Sequence, residues 1–222
     1  MKREIITTAD GSSTILVPDW QETYHSKHGA VNESLHVFIK NGFEYFIENH
    51  APKALCILEI GFGTGLNALL TLQAAEKYKV PMYYETVEGF PMTLEEIQLL
   101  NYAEITHTDP KLFQKLHDCE WEETVEISDF FSLHKRKLLF ENIVGNSDFD
   151  LIYFDAFGAR VQPHLWTLSV FKIMYTCLRQ KGVLVTYASK GSARRAMIEA
   201  GFSVEKLPGP PGKREMLRAS VL

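Results

Sequence analysis

Three glycines that alternate along the segment EIGFGTGLN carry the most chemical information in this sequence. Gly61, Gly63 and Gly65 follow an apolar run that ends in Glu59, and a helical pattern that contains Asn67 comes next. In α/β domains, a buried strand, a turn without side chains and a helix N-terminus together form a nucleotide or nucleoside pocket. Glycine permits this because ligand atoms can lie where a Cβ would clash. We therefore predict an adenosine-like ligand; a tight turn that binds nothing is the alternative.

Carboxylates stand at or next to the ends of predicted strands, where they would face such a ligand. Glu59 suits a ligand's ammonium group or caps the turn, and Glu88 can accept both hydroxyls of a ribose, as in NAD enzymes. Asp129, with Phe130 beside it, suits the amino group and ring of an adenine, or else caps a helix. Asp155 closes an apolar strand at the sheet edge where open α/β folds bind substrates. We predict that burial tunes the proton affinity of Asp155; a structural loop acid is the alternative.

A polar segment, YHSKHGAVNES, precedes the first of these strands. It is too polar for a core and too long for a simple turn, so we predict a lid over the ligand that carries Tyr24, His28 and Glu33. His25 and His28 stand three residues apart, but no third ligand follows at a spacing that suits a metal site. We therefore expect no metal.

Strand and helix patterns alternate along the chain and would bring these residues to one edge of a sheet. Residues 4–17 read as two short strands around a turn at Asp10-Gly11, and 31–49 read as a helix. The predicted strands that follow are 55–60, 82–88, 124–128, 149–155, 182–187, 202–207 and 213–220; the predicted helices are 66–78, 93–102, 110–118, 163–178 and 191–200, with one or two short helices within 130–144.

The last two predicted strands are joined by PGPPGK, which is too short for a crossover helix. They must therefore pair as an antiparallel hairpin. The prediction is an α/β fold with a seven-stranded, mostly parallel sheet and an antiparallel C-terminal hairpin, which is the Rossmann-like architecture of class I S-adenosylmethionine-dependent methyltransferases. We predict two parts: residues 1–50 with a β-hairpin, the lid segment and a helix, and residues 51–222 as the Rossmann-like domain.

Composition and charge narrow the class of protein. Of 222 residues 45% are hydrophobic, and no run reaches the roughly 18 apolar residues of a membrane helix. Three cysteines that lie far apart indicate a reducing, cytoplasmic location. The net charge of −5 excludes a bulk polyanion binder, but the segment from Lys190 to Leu222 holds seven basic and three acidic residues. It is either a solvated surface or a phosphate-contacting one, with these candidates: Lys190, Arg194, Arg195, Lys213 and Arg214.

Four motifs in order, ETYHSKHGAVNESLHVFIKNG, EIGFGTGLN, YFDAFGA and PGKREML, resemble methyltransferases of the MnmC/MnmD type over about residues 20–217. The resemblance implies that S-adenosylmethionine methylates the amine of 5-aminomethyl-(2-thio)uridine at the tRNA wobble position. It implies that Asp155 is the motif acid, and that the cofactor contacts are Tyr24, Glu33, Glu59, Gly61, Gly63, Gly65, Asn67, Glu88 and Asp129. Ala159 stands where that family usually has proline. No oxidase domain follows before Leu222, so we expect the stand-alone form, which needs an aminomethyl uridine made by other enzymes.

On this interpretation the acceptor amine must be neutral to attack the methyl group, and Asp155 orients it and receives its proton. Aromatic side chains such as Phe157 would hold the unstacked uridine. The alternatives are a spermidine synthase-like aminopropyltransferase, an NAD(P) oxidoreductase, which the terminal hairpin disfavours, and a non-catalytic module that binds tRNA.

Overall fold

Strands and helices alternate along residues 2–222, the part of the chain that the computed structural model describes. The strands are β1 (Glu4–Thr7), β2 (Ser13–Val17), β3 (Glu22–Thr23), β4 (Leu55–Ile60), β5 (Met82–Val87), β6 (Thr124–Ser128), β7 (Phe131–Arg136), β8 (Phe149–Phe154), β9 (Leu178–Thr186), β10 (Ser203–Pro208) and β11 (Glu215–Ser220). The helices are α1 (30–50), α2 (Leu66–Tyr78), α3 (Leu94–Ile97), α4 (Tyr102–Ile105), α5 (Pro110–Asp118), α6 (Leu168–Cys177) and α7 (Gly191–Ala200), with short 3-10 turns at Pro18–Trp20, Phe140–Asn142 and Pro163–Trp166.

The central sheet has eight strands in the order β10-β11-β9-β8-β4-β5-β7-β6. The neighbours from β9 to β7 pair in parallel, and β11 runs antiparallel to both β9 and β10. This confirms the α/β fold, the mostly parallel sheet and the C-terminal hairpin. The strand count is one higher than predicted because β7 is not among the predicted strands; the predicted strand 124–128 is β6, which pairs antiparallel with β7 at the sheet edge.

The third parallel strand is β7, not the predicted segment 124–128. Of the one or two short helices predicted within 130–144, a 3-10 turn forms at Phe140–Asn142, and β7 occupies the first part of that range. Phe131, Leu133 and Lys135 are buried and alternate with half-exposed residues, which is the pattern of a strand. The sequence does not show this alternation as an apolar pattern, because the third inward-facing residue is the charged Lys135. Its stem is buried, and its ammonium group donates to the carbonyl oxygen of His117 and lies 5.0 Å from the centre of the Trp121 ring.

The N-terminal part contributes to the same core as the sheet. The predicted hairpin forms from β1 and β2, and β3 extends it to three strands. Helix α1, whose central turns Leu35–Glu44 are π-helical, packs closely on the sheet. A Cβ on Gly42 would lie 2.9 Å from the Val185 side chain and 3.2 Å from that of Tyr153. The division into 1–50 and 51–222 stays a prediction, and Met1 lies outside the described residues.

Two further findings concern the whole described chain. Among residues 2–222, no helix combines the length and apolar character that crossing a bilayer requires. Within the same range, no three His, Cys, Asp or Glu side chains are grouped so that they could hold a metal ion. The three cysteines are free thiols.

Candidate active site

A cavity of about 410 Å³ opens at the carboxyl edge of β4, β5 and β8, within the range of small-molecule sites. Parallel strands deliver their C-terminal residues to this edge, so it gathers side chains that are distant in sequence. We call it the donor cavity. Its lining includes Trp20, Tyr24, Gly61, Gly63, Asn67, Glu88, Phe90, Leu139, Phe140, Glu141, Asp155, Phe157 and Gln162.

The glycine turn forms the floor of the donor cavity. Gly61 and Gly63 have φ angles of 98° and 51°, which other residues adopt only with strain. A Cβ would lie 3.1 Å from the Asp155 carbonyl oxygen in the first case and 3.3 Å from the Tyr24 ring in the second. Gly65 lies outside the lining, and the His117 ring fills the space beside it. Because Gly65 starts α2 without a side-chain cap, the first N–H groups of this helix can face an anion.

Glu88 follows β5 and lies in the donor cavity, as the sequence predicted. The Gly63 N–H donates to its Oε2 at 3.0 Å, and the Phe90 N–H donates to its Oε1 at 2.8 Å. These bonds fix the carboxylate against the glycine turn. Each carboxylate oxygen has further lone-pair capacity, so both can still accept ribose hydroxyls.

The apolar end of the donor cavity comes from the loop after β7, which the sequence interpretation missed. Leu139, Phe140 and Glu141 line it there. Asp129 and Phe130 do not, and their predicted place beside an adenine is wrong. They form the turn between β6 and β7 at the amino edge of β7, away from the cavity. The alternation in FSLHKR indicates a strand that ends at Arg136, so the sequence does contain a pattern that locates the loop beginning at Lys137.

Glu59 is fully buried at the end of β4 and lies outside the cavity lining. Its Oε2 accepts a hydrogen bond from the Thr86 hydroxyl at 2.8 Å, whereas its Oε1 has no hydrogen-bond partner. Burial raises the pKa of Glu59 well above its usual value. The Oδ1 of Asn67, also buried, is unpartnered too. A neutral Glu59 could donate a proton toward Asn67, which an ionised carboxylate cannot do.

Asp155 stands at the C-terminal end of β8, half-buried in the donor cavity. The Asn67 side-chain amide donates to its Oδ2 at 2.9 Å. Burial raises the pKa of Asp155 well above its usual value, and the negative charge of Glu33 adds to this, whereas Asn67 and the positive charge of Lys213 oppose it. A carboxylate in this environment is a stronger base than one in water.

The lid covers the donor cavity through an aromatic cluster. The Phe157 ring meets the Trp20 and Tyr24 rings edge to face, at centroid distances of 5.3 and 4.9 Å. Burial raises the pKa of Tyr24 to about 12, so its hydroxyl stays protonated at neutral pH. Burial also lowers the pKa of His25 to about 4, which keeps that imidazole neutral and argues against a role for it as a cation.

Glu33 and Lys213 do not reach the donor cavity; they meet each other beside it. Their ion pair, with Nζ and Oε1 2.5 Å apart, joins the start of α1 to the loop between β10 and β11. The Ser26 N–H donates to the other Glu33 oxygen at 2.7 Å. The structure therefore places Glu33 away from the predicted cofactor contact and Lys213 away from an exposed phosphate contact.

The remaining basic candidates lie near the same edge of the molecule. Lys190 directly precedes α7, which begins just after β9, and Arg194 and Arg195 follow in the first turns of that helix. Lys190, Arg195 and Arg214 are exposed, whereas Arg194 is half-buried. Contact of these residues with nucleic acid stays a prediction.

Comparisons with known proteins identify the family of the chain. A family described as S-adenosyl-L-methionine-dependent methyltransferase matches residues 110–221, which is half of the chain. The tRNA 5-methylaminomethyl-2-thiouridine biosynthesis bifunctional protein MnmC of Leptospira interrogans is 28% identical over 216 residues, covering 90% of this chain and 33% of that protein. MnmC of Pseudomonas paraeruginosa is also 28% identical, covering 88% of this chain and 32% of its own. The chain thus spans about a third of the length of these curated relatives.

Solved structures of MnmC2 and of a spermidine synthase have the same fold as this chain. The crystal structure of MnmC2 from Aquifex aeolicus superposes with a TM-score of 0.81 at 27% identity, covering 100% of this chain and 70% of that one. Spermidine synthase from Thermotoga maritima, with a TM-score of 0.57 and 12% identity over 95% of this chain, shares the fold alone. The resemblance drawn from the motifs is confirmed, and the chain belongs to the S-adenosyl-L-methionine-dependent methyltransferase family.

Proposed function

We propose that this protein transfers a methyl group from S-adenosylmethionine to the amine of 5-aminomethyl-(2-thio)uridine at the tRNA wobble position. The observation that carries the proposal is the position of Asp155, a carboxylate of raised pKa at the edge of a glycine-floored cavity. The MnmC relative of Leptospira interrogans, which matches 90% of the chain, is a protein of tRNA 5-methylaminomethyl-2-thiouridine biosynthesis, and this supports the choice of acceptor. Aminopropyl transfer is not favoured, because spermidine synthase shares only the fold with this chain. A role limited to tRNA binding is not favoured either, because the chain belongs to a methyltransferase family.

The residues that line the donor cavity fit the cofactor. Glu88 would hold the ribose hydroxyls, and Leu139 and Phe140 would pack against the adenine. The uncapped N-terminus of α2 would receive the carboxylate of the methionine part. When bound, S-adenosylmethionine supplies an activated methyl group on its sulfonium.

Asp155 prepares the acceptor. An alkyl amine is mostly protonated at neutral pH and cannot attack until it loses that proton. Asp155 accepts it, and the Asn67 amide fixes the direction in which the carboxylate points. The aromatic cluster of Trp20, Tyr24 and Phe157 excludes water from the reacting groups. The enzyme's contribution is then mainly alignment and proton removal.

The tRNA itself would be held outside the cavity. Lys190, Arg195 and Arg214 are exposed near its edge and would contact backbone phosphates. A cytoplasmic location follows from this substrate, and it is part of the proposal.

Nucleoside analysis of tRNA from cells that lack this protein tests the proposal. We expect 5-aminomethyl-(2-thio)uridine to accumulate at the wobble position and the methylated nucleoside to disappear. The wild-type gene should reverse both changes, whereas a gene with Asp155→Ala should not. An unchanged nucleoside pattern in the deletion strain would rule the proposed function out.

A further inference from the structure

A second cavity, of about 370 Å³, lies on the other side of the aromatic cluster. Tyr24, His25 and Phe157 line both cavities, so these residues form a shared wall. The remaining lining comes from the lid, from α1 and from the ends of β9 and the C-terminal hairpin. It includes Glu22, Thr23, Ser26, His28, Glu33, Gly158, Tyr187 and Lys213.

The Glu33–Lys213 ion pair is the main polar feature of this second cavity. Glu33 is only 5% exposed, which is unusual for a charged side chain and shows that the pair is built into the wall. The Lys213 ammonium also lies 3.8 Å from the centre of the Tyr187 ring. The Tyr187 hydroxyl in turn donates to the carbonyl oxygen of Ala156 at 2.8 Å, next to Asp155. These contacts fix both charges relative to Asp155.

We propose that this second cavity binds the pyrimidine base of the acceptor, and that Lys213 and Glu33 recognise its polar edge. The inference rests on the proposed function, because it assumes an aminomethyl pyrimidine as acceptor. An ammonium group has three donors, and Lys213 uses one on Glu33, so two remain for the carbonyl or thiocarbonyl groups of the base. Glu33 accepts from the ring N–H, and Phe157 presents its ring to the base. The aminomethyl substituent then points through the shared wall toward Asp155.

The proposal assigns new roles to both residues. Two of the sequence motifs, the lid and the C-terminal PGKREML, meet in space through this one ion pair. Lys213 is therefore a specificity-determining residue rather than a phosphate contact. Glu33 positions Lys213 and the base rather than the cofactor.

Steady-state kinetics with an anticodon stem-loop that carries 5-aminomethyluridine tests the assignment. We expect Lys213→Met and Glu33→Gln each to raise the KM for the stem-loop at least tenfold, with the Kd for S-adenosylmethionine within twofold of wild type. Lys213→Arg should restore most of the loss, because it keeps a cationic donor. Lys206→Met is the matched control, since Lys206 pairs with Glu215 at 2.9 Å on the exposed side of the same hairpin.

The possible failures are distinguishable. If the wild-type protein methylates no aminomethyl pyrimidine, the proposed function itself fails. If wild type is active but both variants keep the wild-type KM, only the assignment of the second cavity fails. If Lys213→Met does not fold, as judged by its Tm and by loss of S-adenosylmethionine binding, Glu33→Gln decides the question: a KM raised at least tenfold supports the assignment, and a wild-type KM overturns it.

Discussion

Replacement of Glu88 by glutamine should weaken S-adenosylmethionine binding more than any other conservative change in the donor cavity. The Glu88 carboxylate accepts from the Gly63 and Phe90 N–H groups at 3.0 and 2.8 Å, and we propose that it also accepts from the ribose. An amide offers one acceptor oxygen and places an NH2 group where an oxygen now faces a donor. The variant therefore loses at least one charge-assisted hydrogen bond between residue 88 and the ribose, which costs about 1.5–3 kcal/mol of binding free energy. The Kd should therefore rise roughly 10- to 150-fold.

Isothermal titration with S-adenosylmethionine measures this effect directly. Glu123→Gln is the matched control, because it makes the same charge change at an exposed position outside the cavity lining. We expect its Kd to equal that of wild type. A Glu88→Gln protein that binds the cofactor within threefold of wild type would refute the assignment of Glu88 to the ribose.

Three further predictions concern Asp155 and Gly63 in the cavity and Glu59 buried behind it. Glu59→Gln should retain cofactor affinity, because Glu59 is buried outside the cavity lining. Burial raises the pKa of Glu59, so the stability of the wild-type protein falls as pH rises above the usual carboxyl pKa of about 4.3. Glutamine does not ionise, so the Tm of the variant relative to wild type should increase from pH 4 to pH 8. A Kd that rises tenfold in this variant would show that the Glu59 charge serves the ligand. Asp155→Asn should lose at least a hundredfold in kcat, as measured with the modified stem-loop, while its cofactor Kd stays within threefold of wild type; near-normal turnover would remove Asp155 from the proton transfer. Gly63→Ala should lower the Tm by about 2–8 °C, because alanine in the left-handed conformation of Gly63 costs about 1–2 kcal/mol. Gly191→Ala is the control and should not lower the Tm, because Gly191 has no positive φ. Equal melting curves for the two variants would contradict the proposed backbone strain at Gly63.

The parts of the site that follow local sequence patterns were predictable. Apolar runs locate the ends of β4, β5 and β8, and the glycines, Glu88 and Asp155 sit at those ends. The PGPPGK linker forces the antiparallel hairpin because it is too short for a helix. These features depend on neighbours within a few residues of each other.

The parts that failed depend on contacts between distant residues. Strand β7 was missed because Lys135 faces inward, and its burial depends on Trp121 and the backbone of His117. If 124–128 were the parallel strand, Asp129 would follow it at the carboxyl edge of the sheet. Asp129 instead precedes β7 and lies at the amino edge of that strand. The pairing of Glu33 with Lys213 joins residues 180 positions apart, and no local pattern reveals it.

Mass spectrometry of nucleosides after a reaction with purified components tests the central claim most directly. The purified protein is incubated with S-adenosylmethionine that carries a deuterated methyl group and with tRNA that carries 5-aminomethyl-2-thiouridine at the wobble position. We predict a wobble nucleoside heavier by one deuterated methyl group, with the label on the side-chain amine. An unlabelled wobble nucleoside, or label elsewhere in the tRNA, would contradict the claim.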